Sequence, residues 1–175
     1  MTGIPRLPSE WERLFALDES DLNEQLVALL AAAEQSAPPI DFDRLIGAGR
    51  RFAGAGRVHT DAIAVSWLTA RPSARRLDVV SGFLTGLWST TGAELSVQHD
   101  VLAAFLEVRR ACTLGDEVAY SSLLPVSDVA KRSSAAPVQS LARAALEAAR
   151  AEPYRGPAMA EQARKLIDAA LDRHS

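Results

Sequence analysis

The residues that could do chemistry in this 175-residue chain are few and widely spaced. His59, His99 and His174 are the histidines and Cys112 is the single cysteine. His99 is followed directly by Asp100, with Asp116 and Asp128 further on, so imidazole and carboxylate groups of the kind that share a divalent metal are present. A metal site needs three or more convergent ligands, however. His99-Asp100 also reads as the first turn of a helix, where the positive end of the dipole favours an acid. Cys112 continues the apolar stripe Val101, Phe105, Val108, which makes it a small core residue, and spacing pairs no His or Asn with it. The chain has no serine nucleophile elbow, no His-Glu-x-x-His and no zinc-type Cys/His spacing. These residues predict a protein that is not an enzyme and holds no cofactor and no metal.

Two glycine runs come next, Gly47-Ala48-Gly49-Arg50 and Gly54-Ala55-Gly56-Arg57. Glycine-rich loops can cradle phosphates on backbone N–H groups. That chemistry needs a preceding strand and either Gly-x-x-x-x-Gly-Lys-Ser/Thr or Gly-x-Gly-x-x-Gly, and neither spacing is met. A spacing of seven is two helical turns, so the runs predict close helix packing followed by a flexible exit.

Charge is unevenly distributed behind a net value of −3. Residues 1–47 sum to −6, residues 48–76 to +5, residues 77–130 to −5 and residues 131–175 to +3. The basic block holds Arg50, Arg51, Arg57, Arg71, Arg75 and Arg76 against Asp61 alone. It has two readings: internal pairs with acids such as Asp18, Glu19 and Asp21, or an exposed face that binds an anionic partner. Trp11, Trp67 and Trp88 lie on or beside apolar stripes. Trp88, followed by Ser89-Thr90-Thr91-Gly92 near a helix end, is expected to be partly exposed and able to anchor a partner.

The elements that must position these residues are helices. Nine segments carry helical apolar spacing with start and stop signals. Ser9 with Glu12 forms a capping-box pattern before Trp11, Leu14 and Phe15. Leu22, Leu26, Leu29 and Leu30 stripe a second helix that ends before Pro38-Pro39. Asp41, Thr60, Ser73 and Ser96 are placed to cap the third to sixth, with Pro72 and Gly115 as stops. A short segment from Val118 to Leu124, closed by Pro125, reads as a helix or an isolated strand. Pro137 and Pro157 sit in the first turns of the last two. Hairpin turns and sustained alternation are absent from the sequence, so the fold class is all-α, an irregular bundle or array of about eight to nine helices, with a short α-solenoid as the alternative. The expected organisation is a main helical domain over residues 1–125 and a C-terminal helical hairpin over 126–175 packed on it as one folded unit.

A 48% hydrophobic, 23% charged composition is ordinary globular usage, rich in alanine and poor in aromatics. One cysteine excludes an intrachain disulfide. With no signal-peptide pattern and no apolar run near about 20 residues, the expected compartment is the cytoplasm. In outline His59, His99-Asp100 and Asp116 or Asp128 resemble the spaced ligands of HD-domain metal phosphohydrolases, without that family's local context around His59 and Asp116. The run from Asp61 to Leu68 with that from Gly82 to Trp88 slightly resembles the N-terminal helical region of type VI secretion TssA/ImpA proteins, over less than a fifth of the chain. No residue role follows from either resemblance. The expected function is a non-enzymatic helical protein–protein interaction module in a bacterial assembly, such as an adaptor, accessory subunit or immunity-type binder. Its expected partner is a protein with an acidic surface. A nucleic-acid or phosphate binder using the arginine block is the alternative, and a cryptic helical metal-dependent hydrolase comes third. An acidic whole, with a pI near 5.6, weighs against a general nucleic-acid binder. Membrane association is not expected, and homo-oligomerisation is left open.

Overall fold

The computed structural model describes residues 3–89 and 95–172. The fold is all-α, and ten helices fall within the described residues: α1 (Pro8–Phe15), α2 (Glu19–Gln35), α3 (Phe42–Gly54), α4 (Thr60–Ala70), α5 (Ala74–Ser89), α6 (His99–Ala111), α7 (Asp116–Ser121), α8 (Leu124–Arg132), α9 (Ala136–Ala149) and α10 (Pro157–Asp172). The extended backbone among these residues includes one isolated parallel bridge, Leu95 to Ser133. Thr90–Gly92 and His174 lie outside the described residues.

Nine of the ten helices match segments expected from periodicity; α8 is the addition. Pro125 does not end a helix but stands in the first turn of α8, where a missing N–H costs nothing. The expected boundary between residues 125 and 126 therefore falls inside a helix. The Val118 region is helical, as α7.

Several starts shift. Glu10, not Glu12, closes the first helix's cap, its carboxylate accepting from the Leu7 N–H at 3.0 Å and the Arg6 N–H at 2.6 Å. Thr60 is the first residue of α4 rather than its cap, and its hydroxyl donates to the Arg57 carbonyl at 2.6 Å. Gln98 rather than Ser96 precedes α6, and Gly115 precedes α7 rather than closing α6. Asp41 and Ser73 do cap: the Arg44 N–H donates to Asp41 at 3.2 Å and the Arg76 N–H to Ser73 at 3.0 Å.

α5 is the central helix. Its buried residues run from Arg76 to Trp88 around nearly its whole circumference, as expected of a helix covered on every side. α3 lies against it in the same direction, because Gly82 faces Phe42 and Leu45 while Gly86 faces Ile46 and Arg50. The approach is backbone to backbone: a Cβ at Gly49 would strike the Phe83 carbonyl, and one at Gly86 the Ile46 carbonyl. Gly49 thus fulfils the packing expected of its run, and Gly56, at φ 76°, supplies the exit beyond α3. Trp11, Phe15, Phe52 and Phe83 stack or meet edge-on with centroids 5.1–6.3 Å apart, joining α1 to the α3–α5 pair. One hydrophobic cluster extends from Trp11 to Leu171.

Candidate functional site

The arginine block separates once the helices are placed. α3 and α5 run in the same direction, so α4 must return between them, from the C-terminal end of α3 to the N-terminal end of α5. Arg50, Arg51 and Arg57 belong to the first of those ends, and Arg71, Arg75 and Arg76 to the second. Arg50 lies against Gly86, ten residues along α5 from Arg76, so the two groups stand about 15 Å apart along the helix at 1.5 Å per residue.

At the second end two arginines are structural, which corrects their assignment to a binding face. Arg76 is buried at 8% exposure. Its Nε donates to Glu34 Oε2 at 2.5 Å and its Nη1 to the Trp67 carbonyl at 2.8 Å, while the guanidinium lies 4.0 Å from the Trp67 ring centroid. Arg75 donates to the carbonyls of Glu34 and Ser36 and closes the C-terminal end of α2. The internal acceptor is thus the end of α2 rather than Asp18, Glu19 or Asp21. Arg71, beyond α4, is exposed and has no side-chain acceptor among the described residues.

Trp88 is the largest correction. It is fully buried, and its indole N–H donates to Asp61 Oδ2 at 3.1 Å. Burial holds the Asp61 carboxyl above its usual range, against the opposing pull of the Trp88 and Ala62 N–H groups. The Trp88 carbonyl accepts from Arg132 at 2.7 Å. Covered on both its polar groups, Trp88 offers nothing to a partner.

The first end differs. Arg50 is exposed and Arg57 partly so, and neither side chain has a hydrogen bond or ion pair among the described residues. Arg51 is exposed and lies 5.7 Å from the Trp11 ring centroid. His59 joins this end, its Nε2 3.3 Å from the Glu19 carboxylate.

Of the carboxylates considered for metal chemistry, Asp116 is engaged by backbone donors. The Asp116 carboxylate accepts from the N–H groups of Arg155 and Gly156, which hold it below its usual range and pin the segment before α10. Asp128 is desolvated on α8 beside Lys131 and Arg132, its carboxyl pushed up to about 6 by burial. Among the described residues no three His, Cys, Asp or Glu side chains converge as metal ligands. Cys112 is half-buried at the end of α6, at the edge of a trough between α6 and α9. No described helix is long and apolar enough to cross a membrane.

Sequence reasoning missed that trough. It contains about 610 Å³, with Ala103, Leu106 and Arg109 among its α6 residues, Leu141 and Ala145 from α9, and Glu152 beyond. The alanines of α9 were visible; that they face the alanine of α6 follows from topology.

No family model, no curated protein and no solved structure matches this chain.

Proposed function

We propose that this protein is a non-enzymatic helical interaction module whose arginines at the C-terminal end of α3 meet an acidic protein surface. One contrast carries the reading. Arg44, Arg75, Arg76, Arg109, Arg143 and Arg150 each donate to an acceptor within the fold. Arg50 and Arg57 reach solvent with no acceptor among the described residues, as Arg71 and Arg110 also do, but only at the C-terminal end of α3 do two such arginines lie within seven residues of each other.

A cation in the last turn of α3 gains about 0.3–1 kcal/mol from the helix dipole, which accounts for Arg51. Arg57 lies beyond the helix and gains nothing comparable. Guanidinium groups present planar, multidentate donors that match carboxylates, and exposed charges of this kind govern association rate and salt dependence. The test is recovery of the tagged protein with its partners from its native host, at low and high salt. The reading expects a stoichiometric acidic protein, released by salt and lost in Arg50→Glu/Arg57→Glu. Recovery of nucleic acid instead, abolished by nuclease, contradicts it.

A further inference from the structure

The trough between α6 and α9 owes its volume to short side chains. The two helices run in the same direction: Leu95 and Ser133, just before each, form a parallel bridge, and Arg109 near the end of α6 meets Glu152 beyond the end of α9. Ala144, Ala145 and Ala148 line the trough from α9, where methyl groups leave open what longer side chains would fill. A volume near 610 Å³ falls within the range of about 300–1,000 Å³ usual for small-molecule sites, which are mostly apolar with a few polar groups to fix orientation.

The polar group here is a buried guanidinium. Arg109 is 7% exposed and is fixed from behind: its Nε donates to Ser122 Oγ at 2.7 Å and its Nη2 to the Ala119 carbonyl at 2.8 Å. The rest of its fork holds a carboxylate in bidentate fashion, Nη1 to Glu152 Oε2 at 2.6 Å and Nη2 to Glu152 Oε1 at 2.7 Å. The two partners are not equally anchored. Arg109 rises from a helix and is held by two further acceptors. Glu152 belongs to the connection between α9 and α10, and its side chain is 32% exposed. The fork is therefore a built carboxylate site, and its present occupant comes from the more weakly held side.

We infer that the trough binds an alkyl monocarboxylate, its chain lying along the alanines and its carboxylate replacing that of Glu152 on Arg109. The exchange is one carboxylate for another, so no buried charge is left unpaired, which is the condition under which breaking such a pair is tolerable. Glu152 passes to solvent, which it already touches. Arg110 on the rim is exposed, with no acceptor among the described residues, and draws an anion toward the trough. Glu107 beside it disfavours a second negative charge, hence a monocarboxylate. The inference uses none of the α3 arginines and stands apart from the proposed function.

The test is titration of the full chain with decanoate, decan-1-ol and decyltrimethylammonium by calorimetry. Alkylation of Cys112 serves as a second readout, since this single cysteine lines the trough. Saturable decanoate binding is expected, with weaker binding of the alcohol, none of the cation, and slower Cys112 alkylation when the site is filled. Glu152→Gln removes the charged internal competitor and is expected to bind decanoate about tenfold more tightly, as when a tethered ligand is taken away. Ala145→Leu fills the trough and is expected to abolish binding with the melting temperature retained. Absence of saturable decanoate binding, equal affinity for the alcohol, or weaker binding in Glu152→Gln overturns the proposal. Glu152→Gln leaves Arg109 buried without its anion and is expected to lower the melting temperature of the ligand-free chain, so its affinity is read below its own melt, whereas Ala145→Leu keeps the Arg109–Glu152 pair intact.

Discussion

Arg76 and Arg109 on one side, and Arg50 and Arg57 on the other, are the same residue type in two opposite circumstances. The first pair is buried, each arginine meeting a glutamate more than forty residues away in sequence, Glu34 for Arg76 and Glu152 for Arg109. The second pair emerges from the end of α3 and meets no acceptor among the described residues. Arg50 and Arg76 belong to the same basic block of sequence, so local charge does not separate them. What separates them is whether the fold brings a distant carboxylate to the guanidinium. A buried arginine with its partner is part of the structure, whereas an exposed one without a partner is available to another molecule.

Breaking the buried class gives the largest expected effect. Arg109→Ala leaves Glu152 without its cation, takes the guanidinium donor from the Ser122 hydroxyl and leaves the Ala119 carbonyl with the longer bond from that hydroxyl at 3.3 Å, and is expected to cost about 3–5 kcal/mol in chemical denaturation. Arg76→Ala is expected to fall in the same range, because Glu34 and the Trp67 carbonyl are left behind in the interior. A cost under about 1 kcal/mol for either would place that arginine with the exposed class. Phe105, fully buried on α6, is a charge-free reference: Phe105→Ala is expected to cost about 3–5 kcal/mol through cavity formation.

Asp128 sharpens the comparison from the acidic side. It is a half-buried carboxylate whose neighbouring cations, Lys131 and Arg132, do not offset its desolvation, so its folded-state pKa is pushed up to about 6, above the ordinary aspartate range. The folded state therefore binds this proton more tightly. Its contribution is most favourable below the unfolded pKa and is lost as pH rises through the folded one. Asp128→Asn removes that dependence and is expected to raise stability by about 1–2 kcal/mol at pH 8, with little change at pH 4. Denaturant midpoints across this range check it, and an unchanged difference between pH 4 and pH 8 contradicts it. The smallest effect is expected at Arg71, exposed beyond α4. Arg71→Glu should change stability by no more than about 0.5 kcal/mol.

Much of the architecture was legible in the sequence because caps and apolar stripes are local. Asp41 and Ser73 cap the helices they precede, and Gly49 packs where its run implied. Gly82 and Gly86, which complete that crossing from α5, carried a readable signal in their spacing of four, but it goes unremarked without a view of the opposing helix. Pro125 read as a stop because proline breaks a helix interior; in a first turn it is harmless, and only the chain beyond it decides which applies. Trp88 read as exposed because polar and glycine residues follow it. Its burial depends on Asp61 arriving from α4, a pairing that spacing cannot reveal. The trough and the Arg109–Glu152 pair were illegible for the same reason.

The measurement that bears most directly on the account is the double charge reversal Arg50→Glu/Arg57→Glu, followed by thermal melting and by association with the partner recovered from the native host. The account predicts a melting temperature within about 2 °C of the parent, since neither residue is paired within the described fold. It also predicts loss of most partner binding, with the remainder insensitive to salt. A fold destabilised as far as that of Arg76→Ala, or a stable double variant that holds its partner with unchanged affinity, would contradict it.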